Sequence, residues 1–109
     1  MPIRGLQSNI VSVRREATRC IAAIAEEDPD DAVDAVPSLA TIIEDDADGL
    51  QYAVYALSRI TREYPEEVKP VAETLGEVIL RDSLSDSVRL NATAGLGRIV
   101  GEYPSIAVD

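Results

Sequence analysis

The sequence predicts an all-α protein, an α-α superhelix (a right-handed solenoid) of about two and a half helical hairpins. The first observation behind this is that the chain repeats itself. Counted back from Pro29, Pro65 and Pro104, the residue five before is Ile24, Ile60 or Ile99, the residue eight before is Ile21, Leu57 or Leu96, and the residue twelve before is Ala17, Ala53 or Ala92. The second is the period: these prolines lie 36 and 39 residues apart, inside the range of roughly 20–50 residues that marks stacked repeat units. The third is that the apolar residues recur at helical spacing, while no alternation of apolar and polar residues persists.

Each proline follows one helix, and Pro29 and Pro65 open another. Val13, Ala17, Ile21 and Ile24 step by four, four and three, and predict a helix over about 12–27. Leu50, Ala53, Leu57 and Ile60 predict a second over about 49–63, and Val88, Ala92, Leu96 and Ile99 a third over about 86–102. Each pattern is one apolar stripe on an amphipathic helix. Ala22, Ala56, Gly95 and Gly97 are small enough to let neighbouring helices approach. Gly in a helix interior costs about 1 kcal/mol against Ala, so two within three residues imply a packing reason at that crossing.

After Pro29, Val36, Leu39, Ile42 and Ile43 form a stripe over about 30–44; after Pro65, Val71, Leu75, Val78 and Ile79 form its counterpart over about 66–81. Leu39 and Leu75 both lie ten past their proline, so the register carries through both helices. Pro suits a first helical turn, where its missing N–H is no loss. Asp28 stands ready to cap, and Asp30, Asp31, Glu66 and Glu67 place negative charge at the positive end of a helix dipole. Pro37 and Pro70 fall inside these patterns and are expected to kink them or delay their start. Glu44 to Gly49 reads as a polar turn, with Asp48 and Gln51 spaced as a capping box. Arg81 to Asp86 is its equivalent, with Ser85 or Asp86 as the cap.

The whole chain, 1–109, reads as one domain with units at about 9–46, 47–84 and 85–109, the last incomplete. An open end of such a stack exposes apolar surface unless capped. Either a piece of a longer array or self-association through the ends is therefore expected.

With 10 basic and 20 acidic residues the formal charge is −10. That field repels polyanions and argues against a general nucleic-acid binder. Lys69 is the only lysine among the basic residues, and the chain has no His. High acidity with almost no lysine resembles proteins from salt-loving organisms, in which surface charge maintains solubility; chance in a short chain is the alternative. Cys20 is alone, so it has no intrachain disulfide partner. It aligns with Ala56 and Gly95, which predicts a small buried residue. No apolar run approaches the ~20 residues that span a bilayer, and Met1 to Asn9 lacks a signal-peptide core. A soluble cytoplasmic protein without membrane contact is the expectation.

These residues resemble HEAT and HEAT-like repeats, of the armadillo type. Val88-Arg89, Ala92, Ala94, Leu96, Gly97 and Ile99 match the pattern of the second helix of such a unit closely, and Val13-Arg14, Ala17, Ile21 and Ile24 match it well. Leu50-Gln51 replaces Val-Arg in the middle unit, and the inner prolines differ in offset, Pro37 eight and Pro70 five past the reference. The resemblance covers about 9–104. It implies that the helices at 12–27, 49–63 and 86–102 line a concave side, with the Pro-containing helices outside. It also implies that Arg14 and Arg89 are structural turn arginines.

On that arrangement seven of the ten cations, Arg14, Arg15, Arg19, Arg59, Arg62, Arg89 and Arg98, fall on the concave helices. Tyr52 and Tyr55 stand beside Arg59. Arg and Tyr are enriched at binding hot spots because each brings large area and several polar contacts. The candidate partner-binding residues are therefore Tyr52, Tyr55, Arg59, Arg62, Arg98 and Arg19. The competing reading makes them helix-surface charges paired at i±3 or i±4, such as Arg59 with Glu63. Tyr64 and Tyr103 read as inter-helix packing residues.

Enzymatic constellations are not visible. Without His there is no imidazole acid–base group and no His-based triad. No phosphate-binding loop occurs, and Gly95-x-Gly97 lies inside a helix pattern. Acidic pairs such as Asp45-Asp46 and Glu26-Glu27 sit at helix ends, where capping and solvation account for them. Neither a catalytic residue, a metal site nor a cofactor is expected. The leading expectation is a non-enzymatic scaffold for a protein partner. The alternatives are nucleic-acid association through the arginine face, or an accessory module of a lyase- or chaperone-type system, as the resemblance implies.

Overall fold

A computed structural model of the chain describes residues 10–45 and 48–105. They are almost entirely helical, and none of the described residues forms a strand. α1 spans Ile10–Glu27. A broken rod follows: α2, Pro29–Ala32, a 3-10 turn, Val33–Ala35, and α3, Val36–Glu44. α4 spans Leu50–Ile60. The second broken rod is α5, Pro65–Val68, a 3-10 turn, Lys69–Val71, and α6, Ala72–Ile79. α7 spans Asp86–Glu102. The first break lies just before Pro37, near the start of α3, and the second contains Pro70. A proline ring collides with the carbonyl four residues earlier, and a tighter turn resolves the collision.

α1, α4 and α7 lie side by side, and the two broken rods form a second layer against them. Contacts join equivalent registers of the long helices: Arg15 Nε lies 3.5 Å from Asp48 Oδ2, just before α4, and Gly95 in α7 abuts Ser58 in α4. The three therefore run in the same direction. Between the layers Leu39, Ile43, Leu57, Ile60, Leu75, Val78 and Ile99 are fully enclosed. Leu39 and Leu75, ten residues past their prolines, occupy matching places in the core. Completely burying side chains of this size contributes about 1.5–3 kcal/mol each.

The first unit departs from the expected pattern. Ala17 is exposed and Ile24 is 43% exposed, whereas Ala53, Ala92, Ile60 and Ile99 are enclosed. Cys20 is exposed as well, while Ala56 and Gly95 at the same repeat position are buried. The cause is geometric. Those positions face the preceding unit, and none of the described residues encloses that flank of α1. Its opposite flank, Thr18, Ala22 and Ala25, is buried against α4. At the far side of the stack the corresponding residues of α7, Thr93 and Gly97, are exposed. A β-carbon placed on Gly97 would meet nothing within 4 Å, so of these two helical glycines only Gly95 makes a close crossing.

Helix starts also differ from expectation. Asp28 occupies the cap position of α2, but its side chain makes no capping bond. Gly49 caps α4, with φ of +96°, and Asp48 turns to Arg15 instead of forming a capping box. Ser85 does cap α7, its Oγ accepting from the Val88 N–H at 3.3 Å.

Arginines close the second-layer rods. Arg89 Nε donates to the carbonyl of Ile79, the last residue of α6, at 3.0 Å. In the middle unit Gln51 stands in place of this arginine. Arg81 takes over that task, its Nη2 donating at 3.4 Å to the carbonyl of Ile43, which matches Ile79 one unit earlier. Positive charge at a helix C-terminus also complements the dipole. Tyr64 and Tyr103 pack against the core. The Tyr64 hydroxyl donates to Asp30 Oδ1, joining the two rods, and Lys69 Nζ sits 4.4 Å from the Tyr103 ring centre.

Candidate functional site

Helical periodicity sets out a grid on the exposed face of the long-helix layer. Thirteen, ten, six and three residues before each proline, a helix presents one face. On α1 this gives Glu16, Arg19, Ala23 and Glu26; on α4, Tyr52, Tyr55 and Arg59, with Arg62 in the turn just after it; on α7, Asn91, Ala94, Arg98 and Gly101. None of these residues is buried. The face carries four arginines against two glutamates, in a chain of net charge −10.

A groove of about 460 Å³ opens between α1, α4 and the start of α7. Arg19, Ala23, Glu26, Tyr52, Tyr55 and Asn91 line it. Both tyrosines are half-buried, with their rings against the core. Packing of this kind holds a ring in place before any ligand arrives.

The six candidate residues are not equivalent. Arg19 is committed locally: its Nη2 lies 2.9 Å from Glu16 Oε1, and that hydrogen bond, then the charge of Glu16, raises the guanidinium further above its ordinary range. Tyr52 and Tyr55 belong to the groove. Arg59 lays its guanidinium 5.6 Å from the Tyr55 ring centre. It makes no ion pair with Glu63, so the expected i,i+4 pair does not form. Arg98 reaches across from α7 to α4, its Nη1 donating to the Ser58 carbonyl at 2.7 Å and to Thr61 Oγ1 at 3.2 Å. Its burial, then the charges of Arg62 and Arg59, hold it below the usual arginine range. Arg62 is exposed, in the turn that follows α4.

The structural arginines differ between units. Arg89 holds Ile79 and lies 3.8 and 3.9 Å from Asp82 and Asp86. Arg14 has no side-chain hydrogen bond or ion pair among the described residues, and borders a shallow hollow with Ser38, Thr41, Ile42 and Asp45.

Sequence reasoning does not single out two features of the site: Glu26 and Asn91 as groove residues, and Ser58 as the anchor of Arg98. The repeat register contains the signal for the first, since Asn91 aligns with Tyr52 and Glu26 with Arg62. Only the side-chain geometry reveals the second.

Among the described residues no three Asp, Glu or Cys side chains gather as a metal ion would require. No described helix is long and apolar enough to cross a membrane. Comparison of the chain with protein-family models, with curated proteins and with solved structures finds no match.

Proposed function

We propose that this chain is a HEAT-like superhelical scaffold without enzymatic activity, and that its long-helix face is the concave surface that holds a protein partner. One observation carries the reading. Tyr52, Tyr55 and Arg59 form a half-buried ledge on the groove between helices that run side by side. Anchored aromatic and arginine side chains bring contact area at low entropic cost, which is the composition of an interface centre. The three repeated inner helices and the two proline-broken rods support the HEAT-like assignment. Recognition on such a face needs a preformed surface and no covalent step.

The test is affinity capture from native extract with the wild-type chain, with Tyr55→Ala/Arg59→Ala, and with the second-layer control Glu66→Gln/Glu67→Gln. Loss of a partner from the face variant alone, with helicity retained by circular dichroism, is the expected result. Equal recovery on all three removes the face from the function.

A further inference from the structure

Resting on that reading of the face, we propose that Arg59, Arg62 and Arg98 form a carboxylate-binding centre, and that the partner presents an acidic peptide segment to it. Three arginines gather where α7 crosses the end of α4. Arg59 lies in the last turn of α4 and Arg62 in the turn just after it, and the charges of both act on Arg98. Arg98 is brought to the same place by its bonds to Ser58 and Thr61. None of the three forms an ion pair with any described residue, although acidic residues outnumber basic ones two to one. Glu63, next to Arg62 in sequence, leaves all three unneutralised.

Like charges placed together cost free energy, and an opposite charge between them recovers it. The cluster is also prearranged. Arg98 spends Nη1 on two oxygens of α4 and keeps Nε and Nη2 without a described protein acceptor. Arg59 is steadied over the Tyr55 ring. Planar guanidinium forks held in this way match a carboxylate, which accepts two parallel N–H bonds.

The surroundings select the kind of anion. The three cations stand without an ion-pair partner among the described residues of an acidic chain. Nucleic acid needs a basic track that neutralises several phosphates in succession, and no such track continues onto α1, where Glu16 holds Arg19. A peptide needs one anchor charge and a place for a neighbouring side chain. The groove supplies that place, because Tyr55 both lines it and carries Arg59. The expected ligand is an extended segment with Asp or Glu on the triad and an apolar or aromatic side chain within a few residues, seated against Tyr52 and Tyr55.

The experiment uses phage-displayed random heptapeptides, selected on the full chain at fixed salt. Selected clones are expected to be enriched in Asp or Glu next to an apolar residue. Synthetic copies are then measured by fluorescence anisotropy against wild type, Arg59→Gln/Arg62→Gln and Arg59→Lys/Arg62→Lys. The Gln variant is expected to lose about tenfold or more in affinity, and the Lys variant, which keeps the charge but not the planar fork, to lose less than the Gln variant does. Arg98 stays in place because it also serves α4. If the clones lack acidic residues, bind equally to the Gln variant, and lose binding to Tyr52→Ala, the triad proposal falls while the face remains a protein-binding surface. If no clone is enriched, both fall. If duplex DNA or RNA displaces the acidic peptide and binds more tightly than it does, the carboxylate assignment is overturned in favour of phosphate.

Discussion

A β-carbon placed on Gly95 would stand 3.3 Å from Ser58 Cα, closer than ordinary contact, and the atom it meets is backbone. Gly95 therefore sets how near α7 comes to α4. Gly97, two residues on, meets nothing within 4 Å. The two positions respond oppositely to alanine. Gly97→Ala is expected to stabilise the chain by up to about 1 kcal/mol, the helix-propensity difference. Gly95→Ala gains the same propensity, yet overpacking costs about 1–3 kcal/mol, so the net result is a loss. Urea unfolding of the two variants side by side checks this; equal shifts would refute the close crossing.

Tyr64 offers a pH test. Its hydrogen bond to Asp30, then its partial desolvation and the charge of Asp30, push the phenol up to about 12 from its ordinary 10.0. The folded chain thus holds this proton more tightly than the unfolded chain does. The stabilisation is fully present below pH 10 and is lost as pH rises toward 12. Thermal melts of wild type and Tyr64→Phe should show a gap that is constant up to pH 10 and narrows above it. A gap that widens with pH would show that the ionised phenol is favoured.

The three arginines near the helix turns should separate by consequence. Removing a charged donor from a carbonyl that then loses its partner costs about 1–2 kcal/mol. Arg89→Ala, which frees Ile79, is expected in that range. Arg81→Ala, which removes the bond to the Ile43 carbonyl, is expected to destabilise as well. Arg14→Ala, with no side-chain partner among the described residues, is expected within about 0.5 kcal/mol of wild type. Chemical denaturation of the three variants measures the order.

Gly49 turns the chain into α4 at φ of +96°, and a β-carbon there would approach Arg15 Cα at 3.2 Å. Gly49→Ala meets both conformational strain and backbone collision, so a loss of more than about 1 kcal/mol is expected. Gly49→Asn keeps the left-handed preference but not the space. If it matches the glycine chain in denaturation, the collision is absorbed and only the dihedral matters.

The threefold register is the legible part of this sequence. It correctly aligns Leu39 with Leu75, and Ile60 with Ile99, as core residues. It misplaces Ile24 and Cys20, because a repeat position is buried only when a neighbour packs on that flank. Asp48 and Gln51 match the spacing of a capping box, while the Asp-Gly pair carries the truer turn signal. At the face, periodicity is enough to assign Tyr52, Tyr55 and Arg59 to one side of α4. It cannot decide that Arg59 takes the Tyr55 ring over Glu63, since ring stacking and a surface ion pair are each worth under about 1 kcal/mol at exposed sites.

The absence of histidine and the dominance of arginine have a practical consequence for the face. Guanidinium groups do not release their protons under working conditions. The face also has no thiol or amine to titrate. A face without imidazole lacks the side chain whose charge changes most readily near neutral pH. On the proposed reading, the face offers its ligand a fixed positive charge.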